Sequence, residues 1–126
     1  MEVIVLPDAK EIGGVAINGS YFSNHYSDED QSPQVQGFIK KYKEAFGVTP
    51  DGLAATGYDA ALVLADAMKR SGDLTTKNIR DAIAATKDFQ AVTGRITMDV
   101  NRNPVKSAVV LKIVDGQYKY QTTIMP

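Results

Sequence analysis

Three side chains in one short segment have the types that hydrolases use for nucleophilic catalysis. Ser23 offers a nucleophile, His25 a general base and Asp28 a carboxylate that could orient the histidine. On an extended strand, Ser23 and His25 would share one face, because alternate side chains point the same way. A triad also needs a preformed oxyanion hole, and no nucleophile-elbow motif surrounds Ser23. We therefore interpret the segment as the polar end of a strand entering a loop, and we assign no catalytic residue.

Two other groups of side chains carry the oxygen atoms that hard cations prefer. Residues 28–30 are all acidic but lack the alternating spacing and central glycine of a calcium loop. Asp99, Asn101 and Asn103 do alternate, yet no glycine or distal glutamate follows at the required spacing. We interpret the first group as a solvated loop and the second as a tight turn, and we predict no metal site.

The composition excludes several classes of function. The 126 residues contain no cysteine, which rules out disulfides, thiol catalysis and cysteine-ligated metals within this sequence. The net charge is -1, so there is no basic excess to attract nucleic acid. Neither a phosphate loop nor a dinucleotide fingerprint is present, and Gly13-Gly14 alone is too short a signal. We therefore expect no cofactor and no nucleic-acid partner.

The first third of the sequence predicts a small βαβ-like opening followed by a loop. Residues 3–6 form an apolar, β-branched run that is typical of a buried strand, and residues 8–12 favour a helical turn. Residues 20–23 predict a second strand. Residues 24–32 are polar and irregular, which indicates a loop.

Three helices and a hairpin follow. Ser32 and Pro33 are a helix start and Gly47 is a natural stop. The second helix covers roughly residues 53–70, with Tyr58 near the start of its best-formed part. Its expected apolar stripe is Tyr58, Ala61, Leu62, Ala65 and Met68. A third helix runs from Thr75 or Thr76 to about Thr86, a strand covers residues 94–99, and Asp115-Gly116 joins two strands as a hairpin.

Several short motifs recur in a fixed order that characterises one family. They include NGSYFSNHYS and GYDAA, and they lie at residues 18–27, 38–42, 57–61, 79–83, 89–99 and 103–108. In this order they resemble the C-terminal part of the substrate-binding proteins of branched-chain amino-acid ABC transporters. The resemblance covers nearly the whole chain from about Pro7 onward.

The resemblance implies an α/β fold that is a fragment of a type I periplasmic-binding-protein fold, with a short N-terminal βαβ, three helices and a C-terminal β-hairpin. In that fold, two lobes close on an amino acid and the chain crosses between them three times. The implied division is residues 1–24 in the second lobe, 25–32 as a hinge-like loop, 33–100 in the first lobe and 101–126 as the C-terminal hairpin.

The same resemblance implies a function without catalysis. The chain would be part of the amino-acid-binding component of an ABC transporter, with a branched-chain or similar amino acid as ligand and an ABC permease as partner of the full-length relative. Its location would be periplasmic or extracytoplasmic, although residues 1–6 show no secretory signal. The ligand-binding residues would be Tyr58 and Ala55 by position, and Tyr21, Ser23 and Tyr26 more loosely.

One departure from the family pattern concerns the ligand ammonium group. The family places an acidic residue just before the stretch that matches Pro7-Asp8, whereas this sequence has Ile4, Val5 and Leu6 there. We therefore expect impaired ligand binding. The alternative interpretation is an isolated or engineered half-domain that folds by self-association, as a homodimer or with a complementing fragment, and binds no small molecule.

Overall fold

The computed structural model describes residues 11–126, which fold into three α-helices and two small antiparallel sheets. Residues 11–13 are helical and lead into a 3₁₀ helix, Gly14–Ile17. The remaining elements, in chain order, are β1 (Tyr21–Asn24), α1 (Pro33–Phe46), α2 (Gly52–Arg70), α3 (Thr76–Ala84), β2 (Phe89–Ala91), β3 (Gly94–Met98), β4 (Pro104–Val105), β5 (Ala108–Val114) and β6 (Gln117–Ile124). This order confirms the predicted α/β class, the three helices and the C-terminal hairpin. The strand expected at residues 3–6 lies outside the described residues.

The terminal sheet has the strand order β1-β5-β6, with all pairs antiparallel. Its hairpin turns at Asp115 and Gly116, whose φ angles are 49° and 69°. Two successive positive φ angles are typical of a type I′ turn, and the two-residue hairpin predicted from the Asp-Gly pair is present. The pairing of β5 with β6 shifts register between Val110 and Leu111, so β6 carries an irregularity in its middle.

The small sheet has the order β2-β3-β4. The sequence predicted only the strand at residues 94–99, which corresponds to β3. Strands β2 and β4 contain three and two residues, too few for a period of two to show in the sequence. Both join the sheet because β3 offers hydrogen-bonding edges on either side.

Helix α1 begins and ends where its capping residues predict. Ser32 Oγ accepts a hydrogen bond from the Val35 amide at 3.4 Å, and Pro33 occupies the first helical position. Gly47 ends the helix in the left-handed conformation, with φ 75°. The helix buries Val35, Phe38 and Ile39.

Helix α2 covers Gly52–Arg70, which agrees with the helix predicted at roughly residues 53–70. Asp51 caps it by accepting a hydrogen bond from the Ala54 amide at 2.7 Å, so the first helical residue is Gly52. Tyr58 lies in the second turn of the helix.

The prediction of the apolar stripe of α2 is wrong, because the helix buries a different face. The helix buries the face that carries Ala55, Asp59, Val63 and Ala67. Three members of the predicted stripe are exposed, namely Ala61, Ala65 and Met68. The helix is apolar on both sides, and a pattern of that kind does not reveal which side meets the core.

The core lies between the helices and the small sheet. One buried cluster joins the 25–32 loop, α1, α2 and the β2–β3 turn through Tyr26, Val35, Phe38, Ile39, Ala55 and Val92. A second cluster joins Val63 of α2 to Ala91 and Ile96 of the small sheet. In the described part of the terminal sheet, Leu111 and Ile113 are the buried hydrophobic residues.

Candidate functional site

The loop at residues 25–32 is held firmly against helix α1. The Gln36 side-chain amide donates hydrogen bonds to the backbone oxygens of Asp28 and Asp30, at 3.2 and 2.6 Å. The Asp30 carboxylate accepts from the Ser32 amide at 2.7 Å. These contacts fix the path of the chain between β1 and α1.

Glu29 fastens the same loop to strand β6. Its carboxylate lies 2.7 Å from the Lys119 amine and accepts a hydrogen bond from the Tyr120 amide at 2.9 Å. The hydrogen bond from Lys119 and then the bond from the Tyr120 amide hold the pKa of Glu29 below its ordinary value. The acidic group at residues 28–30 is therefore engaged in loop and strand contacts. Among residues 11–126, no three His, Cys, Asp or Glu side chains come together in a way that could hold a metal ion.

A buried carboxylate ties helix α2 to the turn between β2 and β3. Asp59 is only 2% exposed, and it accepts hydrogen bonds from the amides of Val92 and Thr93 at 2.8 and 2.9 Å. Charge-assisted bonds of this kind offset the cost of burying the carboxylate. Sequence reasoning missed this role, although a lone acidic residue in an otherwise apolar helix segment is a usable signal.

Lys106 connects that turn to the segment before β5. Its amine donates to the backbone oxygens of Thr93 and Ser107 at 3.2 and 2.9 Å. Burial lowers the pKa of Lys106, and the negative charge of Asp59 opposes part of that shift. Asp59, Thr93 and Lys106 thus form one polar connection from α2 to the terminal sheet.

A cavity of about 720 Å³ lies where these connections meet. Its wall is formed by the 25–32 loop, the β2–β3 region and strands β5 and β6. Polar side chains from all of these segments line it, among them His25, Ser27, Gln90, Thr93, Ser107 and Tyr120. Partial burial and the charge of Lys106 lower the pKa of His25. The cavity offers hydroxyl, amide and imidazole groups to a polar occupant.

The structure brings three of the five predicted ligand residues into one aromatic cluster. Tyr26 is 5% exposed and Ala55 is fully buried, while Tyr58 is half-buried at the margin. The ring centroids of Tyr58 and Tyr26 lie 4.9 and 6.3 Å from that of Phe38. The Tyr26 hydroxyl donates a hydrogen bond to the Pro50 oxygen, and burial raises its pKa. Of the five residues, Tyr26 alone lines the cavity.

The other two predicted ligand residues lie apart from this cluster, on strand β1. Tyr21 is 60% exposed, with the Lys112 amine 5.2 Å from its ring centroid. Ser23 is exposed on the same face of the strand. Within the described chain, no hydrogen bond links the side chains of Ser23, His25 and Asp28, so the catalytic triad is not assembled.

The second oxygen-rich segment is the tight turn that the sequence predicted. Asp99 accepts hydrogen bonds from the amides of Asn101 and Asn103 at 2.8 and 2.7 Å. The bond from the Asn103 amide makes the largest contribution to lowering the pKa of Asp99. Its carboxylate oxygens therefore serve the turn itself.

A sequence model of the family described as "Periplasmic binding protein" matches residues 3–117. The chain belongs to this family. The family is non-enzymatic, which confirms the prediction of a function without catalysis, and the family indicates an extracytoplasmic location. None of the helices in the described residues is both long and apolar enough to cross a membrane.

Solved structures define the relationship more closely. The chain is similar to a leucine-binding protein from Thermotoga maritima, with 36% identity over 95% of this chain and a TM-score of 0.83. It is also similar to a branched-chain amino-acid transporter substrate-binding protein from Streptococcus pneumoniae, solved with isoleucine, with 29% identity over 93% and a TM-score of 0.77.

A third similar structure, a solute-binding protein of an ABC transporter from Rhodopseudomonas palustris, was solved with 3,4-dihydroxybenzoic acid. It is 26% identical over 89% of this chain, with a TM-score of 0.71. The chain spans only about a third of these relatives, namely 35%, 34% and 31% of their respective lengths. It therefore corresponds to a part of an ABC transporter solute-binding protein.

Proposed function

We propose that this chain forms one part of the ligand site in an amino-acid-binding protein that delivers its ligand to an ABC permease. The observation that supports this most strongly is the similarity over 95% of the chain to a protein described as leucine-binding. In this proposal, residues 33–100 belong to one lobe, residues 1–24 and 101–126 to the other, and residues 25–32 to the hinge. A branched-chain amino acid is the ligand.

The aromatic cluster supports a role in holding an aliphatic side chain. Tyr58 is its half-buried member, and an aromatic ring combined with a hydroxyl suits a ligand that has apolar and polar ends. In this proposal Ala55 and Tyr26 pack behind Tyr58, because Ala55 is fully buried and the Tyr26 hydroxyl already donates a hydrogen bond to the Pro50 oxygen. Tyr21 and Ser23 present their side chains from β1, on the other half of the molecule.

The chain on its own is proposed to bind its ligand weakly. Ile4, Val5 and Leu6 provide no negative charge for the ligand ammonium group. The relatives also contain nearly two thirds of their length beyond the matched part, and this chain does not supply those groups. An unpaired charge at a binding site costs more than the apolar contacts around it can offset.

Two chimeric proteins test this proposal. In the first, residues 11–126 replace the matched part of the Thermotoga protein, and in the second, residues 1–126 do so. Calorimetric titration should show saturable leucine binding by the first chimera and at least tenfold weaker binding by the second, since the second carries Ile4, Val5 and Leu6. The 126-residue chain alone should give no saturable heat below millimolar leucine.

Tyr58→Ala in the first chimera should weaken leucine binding about tenfold, which corresponds to about 1.4 kcal/mol. Leu74→Ala, at an exposed leucine outside the cluster, is the matched control and should leave the affinity unchanged. Equal leucine affinity for the parent chimera and the Tyr58→Ala variant would contradict the role of Tyr58. Substituting 3,4-dihydroxybenzoate for leucine in the same titration tests an aromatic acid as the ligand class.

The second candidate function is self-association without a small ligand. The observation that favours it is the exposure of large apolar side chains on α2, including Leu53 at 61% and Leu64 at 44%. A homodimer in light scattering, together with no ligand response by either chimera, would favour this alternative. A monomeric chain would eliminate it.

A further inference from the structure

Asn18 and Gly19 form the dipeptide in which an asparagine side chain most readily loses ammonia. In that reaction the backbone nitrogen of the following residue attacks the side-chain carbonyl, and glycine has no side chain to hinder the attack. Of the five asparagines in the sequence, Asn18 alone precedes a glycine. The other four precede histidine, isoleucine, arginine and proline, which all hinder or prevent the same attack.

The fold requires glycine at this position. Gly19 has a φ angle of 86°, in the left-handed region that residues with a side chain rarely adopt. The chain turns there between the 3₁₀ helix and β1, so a bulkier residue would strain the turn. The residue that makes Asn18 reactive is therefore the residue that the turn needs.

In the folded chain, the β5–β6 hairpin holds both reacting groups. The Gly19 amide must lose its proton before it can attack, and it donates to the Ile113 oxygen at 2.8 Å. The Asn18 side-chain oxygen accepts a hydrogen bond from the Gly116 amide at 3.0 Å. The Ser20 oxygen accepts from the Ile113 amide at 3.0 Å, which keeps the next residue on the same strand. Residues 18–20 are thus bonded to the hairpin at three points.

The backbone of Asn18 also has the wrong rotation for ring closure. Its ψ angle is 136°, which is extended and turns the Gly19 nitrogen away from the side-chain carbonyl carbon. The ring closes only when the Cα–C bond of Asn18 rotates until this nitrogen eclipses the Cβ atom. That rotation moves Gly19 away from Ile113, so the contact with the hairpin must break first.

We propose that Asn18 is a site of spontaneous deamidation, and that separation of residues 18–20 from the β5–β6 hairpin controls its rate. In the open chain, the Gly19 nitrogen gives its proton to solvent and bonds to Asn18 Cγ. The bond from Cγ to the side-chain nitrogen breaks, and this nitrogen takes a proton from solvent and leaves as ammonia. Water then adds to either carbonyl of the resulting cyclic imide and opens the ring, which gives aspartate or isoaspartate.

The isoaspartate product has a structural consequence. It inserts one CH₂ group into the main chain between residue 18 and Gly19, so Gly19 and Ser20 no longer lie in register with Ile113. Hydrogen exchange at the Ile113 amide, which donates to Ser20, should therefore be faster in the isoaspartate form than in the parent chain.

Peptide mapping by mass spectrometry measures the reaction in mildly alkaline buffer, because deamidation replaces NH₂ by OH. A synthetic peptide of residues 12–24 gives the rate without the hairpin. Asn18 in the folded 126-residue chain should react at least about tenfold more slowly than in the peptide, since the sheet must open first. In the chain unfolded by urea, Asn18 should react before the other four asparagines.

Two matched substitutions test the role of the hairpin. Ile113 is fully buried, and Ile113→Val should loosen the terminal sheet and raise the rate at Asn18 about fivefold. Ile39→Val removes the same CH₂ group from α1, where Ile39 is 6% exposed, and should leave the rate unchanged. Circular dichroism checks that both variants remain folded.

Three results would overturn the proposal. Equal rates in the folded chain and the peptide would show that the hairpin does not protect Asn18. An unchanged rate in the Ile113→Val chain, or equal acceleration by both substitutions, would show that opening of the terminal sheet does not control the reaction. Faster reaction at another asparagine in urea would remove Asn18 as the preferred site. None of these results bears on leucine binding by the chimeras, so this inference and the proposed function can fail separately.

Discussion

The helical half of the molecule and the terminal sheet differ in how much of their own surface they bury. The helical half, which comprises α1 to α3 with the small sheet, contains both buried hydrophobic clusters. In the terminal sheet, β6 exposes seven of its eight residues and β1 two of its four, and Leu111 and Ile113 on β5 are the buried hydrophobic residues described.

This difference shows that the two halves are stabilised in different ways. The helical half is stabilised by packing, with ring contacts such as Phe38–Tyr58 at 4.9 Å between centroids. The terminal sheet depends on its hydrogen-bond ladder and on polar connections at Glu29 and Lys106. We therefore expect substitutions in the first half to cost the most stability, and substitutions at the polar connections to act locally.

Phe38→Ala should have the largest effect. The ring is 3% exposed and contacts Tyr26, Tyr42 and Tyr58, so its removal should lower the free energy of unfolding by about 3–5 kcal/mol. Tyr120→Ala in the terminal sheet, where the side chain is 44% exposed, should cost less than about 1 kcal/mol. Chemical denaturation measures both values. Equal losses would contradict the contrast between the halves.

Asp59→Asn should have the second-largest effect on stability. The substitution keeps the size of the side chain but removes its charge, and the new NH₂ group faces one of the two backbone N–H groups, of Val92 and Thr93, that donate to Asp59. The expected loss is about 2–3 kcal/mol. Asp66→Asn provides the matched control on the same helix, since Asp66 pairs with Arg70 near the surface. If both variants unfold at the same denaturant concentration, the buried connection does not stabilise the fold.

Glu29→Gln should produce a small, pH-dependent effect. The pKa of Glu29 is lowered from its ordinary value of 4.5, so its contact with Lys119 and Tyr120 contributes stability above that value. The contribution is lost as pH falls through the folded pKa. Because Glu29 is 38% exposed, it amounts to less than about 1 kcal/mol.

The Glu29→Gln variant should therefore show a smaller decrease in stability on acidification from pH 6 to pH 3 than the wild type. Hydrogen exchange at the Tyr120 amide provides a local measurement, since that amide donates to Glu29. Faster exchange at Tyr120, with unchanged exchange in α1, is the expected result. An unaltered Tyr120 rate would show that the contact does not hold β6.

Thr93→Val should have the smallest effect. The Thr93 hydroxyl is buried and, in the part of the chain that the structure describes, has no hydrogen-bond partner. Replacing it with a methyl group of similar shape removes an unpaired polar atom, so stability should stay the same or rise by up to about 1 kcal/mol. A loss above 1 kcal/mol in thermal denaturation would indicate that the hydroxyl has a partner in solution.

The elements with local signals could be predicted from the sequence. Ser32, Pro33 and Gly47 set the ends of α1, and Asp115-Gly116 set the hairpin turn, because capping and turn preferences act over a few residues. Strands β2 and β4 were missed because two or three residues show no periodicity.

The phase of α2 and most of the candidate site depend on tertiary contacts. A helix that is apolar on both sides fits the core in either orientation, so Asp59 and not Ala61 faces inward only once the β2–β3 turn is in place. The cavity and the Lys106 connection join segments far apart in sequence. Motif order named Tyr26, Tyr21 and Ser23 together as looser candidates, but it did not indicate that Tyr26 joins Tyr58 in the aromatic cluster while Tyr21 and Ser23 lie on β1.

Residue-resolved hydrogen exchange of the intact chain tests the contrast between the halves most directly. The account predicts that amides in α1, α2 and β3 exchange only through global unfolding, while the amides that pair β5 with β6 open locally and exchange at least tenfold faster. Equal protection of the β5–β6 ladder and the α1–α2 core would contradict it, because the terminal sheet would then be as stable as the helical half.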